Sequence, residues 1–170
     1  MFCDSRTFGS IFTQGETEME EFNTFEKVQA LFASVNGLGN QNFFFVACQD
    51  KQKVAGAAAG MDYPYDGLLI NMTERGLGIF YLKAGALSGL VTLSSPSKMT
   101  IDKGSFFFIP VENIKGITIK KFALLNSKVK RISIDTTDGK SHKLYARVEE
   151  KDFPYHSGGF NAFVARYGNN

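Results

Sequence analysis

"KVKRISIDTTDGKSHKLYARV" runs from Lys128 to Val148, and its pattern decides the fold class. Ile132 and Ile134 alternate with Ser133 and Asp135 on one arm. Leu144, Ala146 and Val148 alternate in the same way on the other. A period of two with β-branched residues reads as strand, and Asp138-Gly139 between the arms reads as a two-residue type I′ turn. The result is an antiparallel hairpin with one wet face. Its apolar face needs cover, so the flanking chain should supply more strands and a helix.

Upstream, "FFFIPVENIKGITIKK" (Phe106–Lys121) gives a strand over Phe106–Ile109 and then Pro110. Proline has no N–H to give a ladder, so it belongs at a strand end, an edge or a bulge. It marks the corner where the chain leaves one pairing and enters the next. Ile117 and Ile119 then alternate with Thr118 and Lys120. "LLINMTERGLGIFYL" (Leu68–Leu82) reads as two strands around a turn at Thr73–Gly76, and "NFFFVAC" (Asn42–Cys48) as a strand buried on both sides. "LVTL" and "KMTI" are further short strands, "YPYDG" is a turn, and "VAGAAAGM" is a small-residue strand or a loop.

Two helices flank the strands. In "ETEMEEFNTFEKVQALFASVNG", Phe22, Phe25, Val28, Phe32 and Val35 fall on one face. Asn23 with Glu26 offers a cap, and Asn36-Gly37 a stop. The acidic run Glu16, Glu18, Glu20 and Glu21 sits near the positive end of the helix dipole. At the other terminus "SGGFNAFVARYGNN" places Phe160, Phe163, Val164 and Tyr167 in one stripe, suited to covering the sheet. Residues 1–16 show no period and read as an arm.

An order of helix, short antiparallel strands and closing helix is α+β. Three segments sharpen it. "GLLINMTERGLGIFYL" resembles the paired strands of bacterial pleckstrin-homology-like (PH-like) domains, with Thr73 and Arg75 bracketing the turn. "FFFIPVENIKGITIKK" is similar to the family's strand ending in Ile-Pro, matched by Ile109, Pro110, Glu112 and Ile114. "KRISIDTTDGKSHKL" resembles the hairpin that follows. The resemblance implies a curled antiparallel sheet, or partly open barrel, of about seven strands capped by the C-terminal helix. It covers about residues 67–167 and extends more weakly over 43–66. Residues 1–40 then form an arm and an amphipathic helical extension, and 41–170 the PH-like domain. Gly76 and Gly78 depart from the family pattern and imply a looser or bulged strand.

Composition limits the function classes. The 170 residues include 17 Phe and carry a formal net charge of only +2, which argues for a core-bearing globular chain and against nucleic-acid binding by bulk charge. Cys3 and Cys48 form no zinc or disulfide pattern, which points to a reducing, cytoplasmic setting. No stretch is long and apolar enough to span a bilayer. His142 and His156, the two histidines, have no neighbours at metal-ligand spacing. His142 reads as exposed on a strand and His156 as a loop residue. No nucleophile elbow or phosphate loop occurs. The expectation is therefore a non-enzymatic protein without metal or cofactor. An unrecognised enzyme is the remote alternative.

Basic residues concentrate at Lys120, Lys121, Lys128, Lys130 and Arg131, around Phe122, Leu124 and Leu125. Three readings stand for this patch. Lysines can guard a strand edge against unwanted pairing while the apolar residues fold inward. The patch can serve a protein partner, while sheet edges and the groove beside the last helix can accept a strand or peptide and the N-terminal helix can pack on its own domain or on a second copy. It can also seat on an anionic membrane, at the inner face of the cell membrane. For the patch the edge-guard reading leads and nucleic-acid binding comes last, while for the protein as a whole docking or self-assembly leads. Phosphoinositide binding of the PH type is disfavoured, because "GLLINM" and "GIFYL" carry no Lys or Arg and their turn supplies only Arg75.

Overall fold

The computed structural model describes residues 21–49, 67–84, 99–123 and 126–168. The arm 1–16, Glu16, Glu18, Glu20, Cys3, "VAGAAAGM", "LVTL", most of "YPYDG", Leu124 and Leu125 lie outside them. The fold is α+β. Among the described residues one helix, α1 (Phe25–Ala33), precedes eight antiparallel strands, and a second, α2 (His156–Tyr167), follows. The strands are β1 (Phe43–Cys48), β2 (Gly67–Thr73), β3 (Gly76–Ala84), β4 (Met99–Ile101), β5 (Phe107–Pro110), β6 (Ile114–Ala123), β7 (Asn126–Thr136) and β8 (Ser141–Arg147).

The strand order is β4-β3-β2-β1-β8-β7-β6, with β5 also on β3. The sheet is open, since among the described residues β6 pairs with β7 alone and the strand path ends there. It is curled nonetheless: the Phe107 ring of β5 comes within 6.4 Å of the His142 ring of β8. His142 is thus half-buried rather than exposed.

β1 lies at the centre and shows why "FFFVAC" has no alternation. Phe44, Val46 and Cys48 enter one core, while Phe45 and Ala47 enter another on the opposite face. The first core lies under α1, whose Phe32 ring stands 5.5 Å from Phe44 and 5.2 Å from Phe80. The second lies under α2, through Phe160 and Phe163 against Phe45. Helix α1 is thereby built into the core.

The helix ends follow local chemistry, with corrections. The N-cap is Thr24, which accepts from the Lys27 N–H, and not Asn23. The helix starts at Phe25, and Phe25 is 42% exposed instead of sharing the buried face. Its stop is the expected one. Asn36 adopts φ 55°, the Gly37 N–H donates to the Phe32 carbonyl at 2.7 Å, and the Asn36 N–H to that of Ala33 at 3.2 Å. That is a Schellman closure with Asn in the left-handed position.

The β7–β8 hairpin forms, but not with a type I′ turn. Asp138 would need a positive φ, and among the described non-glycine residues only Asn36 has one. Thr136 accepts from the Gly139 N–H at 3.0 Å and its own N–H donates to the Lys140 carbonyl at 2.9 Å. With Gly139 at φ 84°, this is a three-residue loop: a type I turn closed by a glycine bulge.

Nor does β3 bulge at Gly76 and Gly78. The β2–β3 ladder is continuous from Thr73↔Gly76 to Gly67↔Leu82. The glycines are needed for close approach instead. A Cβ on Gly76 would stand 2.1 Å from the Ile109 carbonyl oxygen, and one on Gly78 3.2 Å from the Phe32 and Phe106 rings. Gly76 faces Pro110, the last residue of β5. The chain then turns through Val111–Asn113 and enters β6 at Ile114, which pairs with β7. Pro110 is therefore the corner that the sequence indicates.

Candidate functional site

The basic patch maps to the far half of the β6–β7 hairpin. Lys120 stands opposite Arg131, and Lys121 opposite Lys130, in adjacent rows of the ladder. Residues opposite one another project to the same side, and successive rows to opposite sides. The patch is therefore divided. Lys120 and Arg131 share the side of the sheet that carries Thr118, Ser133 and Lys143. Lys121 and Lys130 continue the row of Ile119 and Ile132 on the α2 side. Lys128 is exposed two residues before Lys130 on β7.

Phe122 does not stand free at the tip. The ladder shifts register between Lys121 and Ala123, and the Phe122 ring meets Tyr145 edge-on at 5.7 Å, packed against the α1-side core. Leu124 and Leu125 lie outside the described residues.

Two like-charge pairs directly opposed in consecutive rows weaken a hairpin. Among the described residues, none of Lys120, Lys121, Lys130 and Arg131 has a carboxylate at ion-pair distance. Their repulsion is therefore left to solvent, or to an anionic partner. A shallow polar groove of about 220 Å³ runs along the Lys120 side, lined by Thr118, Lys120, Arg131, Ser133, Asp135 and Ser141. Near α1 a second hollow of about 390 Å³ has Leu31, Val35 and Phe80 in its wall. The Lys103–Glu21 ion pair, at 2.8 Å, lies at that hollow.

Four other titratable groups, His156, Tyr155, Glu74 and Arg75, are tied into the fold by hydrogen bonds. His156 is the first residue of α2, not a loop residue, and is wholly buried. The Val46 N–H donates to its Nδ1 at 3.1 Å, so Nε2 carries the proton and donates to the Arg147 carbonyl at 2.8 Å. Burial lowers its pKa to about 4, against the opposing effect of the Arg147 bond. Sequence reasoning had no signal for this role, because its partners are remote in the chain. Tyr155 donates to the Phe22 carbonyl at 2.8 Å, and burial pushes its pKa well up. At the β2–β3 turn, Glu74 accepts from the Asn40 and Gln41 N–H groups, which lowers its pKa. Arg75 reaches the Leu38 carbonyl at 3.2 Å. That pair ties the turn to the segment after α1.

Among the described residues, no three His, Cys, Asp or Glu side chains are grouped to hold a metal, and no helix is long and apolar enough to cross a membrane. The chain matches no family model, and no curated protein or solved structure matches it.

Proposed function

We propose that this chain is a non-enzymatic interaction module of PH-like fold that docks an acidic protein through the far half of the β6–β7 hairpin. Two antiparallel runs, β1–β4 and β6–β8, join through β1 and β8 and curl around α2, which supports the PH-like reading. So do Thr73 and Arg75 at the β2–β3 turn and the Ile109-Pro110 corner.

The observation that carries the docking reading is the pair of opposed, unneutralised cation rows, Lys120↔Arg131 and Lys121↔Lys130. An acidic partner removes their mutual repulsion on binding, so the cost to the free hairpin returns as affinity. The same patch repels its own copy, so the partner is another protein. A flat anionic membrane meets one side of the hairpin, whereas these cations occupy both.

The test compares the parent chain with K120E/K121E/K130E/R131E. Each is immobilised and challenged with cell extract over a salt series, and each is spun with neutral and anionic vesicles. Sedimentation velocity reports self-association. The parent is expected to retain acidic proteins that salt releases, while the variant does not and neither sediments with vesicles. Equal retention by both removes the hairpin as the docking surface. Sedimentation of the parent alone with anionic vesicles makes it a membrane contact.

A further inference from the structure

Resting on that docking reading, we propose that the exposed side of β6 and β7 away from α2 clasps a single phosphoryl group borne on an extended segment of the partner protein. Lys120 and Arg131 supply the charge, and Thr118 and Ser133 the hydroxyl donors.

The registers lay these residues out in rows. Lys120 and Arg131 form one with Tyr145, and Thr118 and Ser133 form the next with Lys143. Asp135 pairs with Gly116 and Ser141 beyond them. All lie on the side of the sheet that α2 does not cover. The groove described above runs over these rows, and a Cβ placed on Gly116 would meet nothing within 4 Å, so its floor is open at that end. Opposed residues stand about 5 Å apart and rows about 7 Å apart, within reach of one tetrahedral group. A phosphoryl group brings three acceptor oxygens, enough for both cations and a hydroxyl together. A carboxylate brings one negative charge to the two cations, whereas a phosphoryl group brings nearly two.

Asp135 sets the limit on charge. It lies four residues along β7 from Arg131, about 13 Å in an extended strand. One phosphoryl group over Lys120 and Arg131 stays clear of it. A continuous polyanion laid along the groove runs onto its carboxylate, and so does an anionic lipid surface. The site therefore fits an isolated phosphate on a peptide better than nucleic acid or a membrane.

The experiment uses two double variants with equal charge change at equal height on the hairpin. K120E/R131E alters the proposed site, and K121E/K130E alters the other side. Both are checked for unchanged melting. A phosphoserine peptide, its unphosphorylated form, inorganic phosphate and anionic vesicles are the probes, followed by anisotropy, sedimentation and amide NMR. The phosphopeptide is expected to bind about tenfold or more tighter than the plain peptide, in keeping with charge-assisted hydrogen bonds. K120E/R131E should lose that gain and K121E/K130E keep it. Phosphate should shift the Thr118 and Ser133 amides. Equal loss in both variants overturns the site and leaves diffuse electrostatic docking standing. Absence of a phosphate-dependent gain also overturns it, independently of the hairpin's capture of acidic proteins. Vesicle binding that only K120E/R131E abolishes assigns the phosphate to a lipid and overturns the peptide source.

Discussion

Acid should first destabilise this protein through His156. The imidazole is buried, accepts from the Val46 N–H and donates to the Arg147 carbonyl, an arrangement open only to the neutral ring. A second ring proton would point at the Val46 N–H, donor against donor. The folded pKa is about 4 and the ordinary value 6.5, so the unfolded chain takes up the proton first. The stabilisation is whole above pH 6.5 and falls as pH drops from there toward 4. Linkage over that gap gives about 2 kcal/mol lost by pH 5 and about 3 kcal/mol by pH 4. Urea melts at pH 7, 6 and 5, run on the parent and on His156→Gln, isolate the effect. The parent's unfolding free energy should drop by about 2 kcal/mol across that range while the variant, weaker at pH 7, stays flat. An equal drop in both, or none in the parent, refutes the argument.

Gly159 and Gly158 should respond to alanine in opposite directions. A Cβ on Gly159 would sit 2.0 Å from the Phe44 carbonyl oxygen, so Gly159→Ala should push α2 off β1 and lower the melting temperature despite better helix propensity. At Gly158 the space is open, and Gly158→Ala should stabilise by up to about 1 kcal/mol in the same melts. Phe32→Ala empties the aromatic cluster of Phe44, Phe80 and Phe106 and should cost about 3–5 kcal/mol in urea unfolding. A loss under about 1 kcal/mol would mean that α1 is a dispensable extension after all. Gly76→Ala meets both a φ of 144° and the Ile109 carbonyl. It should speed amide exchange along Phe107–Ile109 first, and uniform exchange would contradict that.

Much of the fold is legible in local pattern. The period of two in Ile132–Ile134 and Leu144–Val148, the breaker at Pro110 and the stop at Asn36-Gly37 each state a backbone preference that near neighbours satisfy. Alternation alone already sends Lys120 and Lys121 to opposite sides of β6. Which cations oppose them depends on register, and register depends on a shift at Phe122 that no pattern announces. The glycines of β3 mislead for a similar reason. A missing side chain signals either slack or close approach, and only the Phe32 and Phe106 rings and the Ile109 backbone decide for approach.

By itself the sequence determined an antiparallel α+β chain, the corner at Pro110, and the location of the basic hairpin. Tertiary structure alone decided that α1 and α2 cover opposite faces of β1, that His156 is a buried neutral link, and that the basic patch is split between two sides. The physical reason is range. Strand and helix periods are set by residues two to four apart, whereas Val46 and His156, or Phe32 and Phe80, meet only because the curl of the sheet brings remote segments into one core.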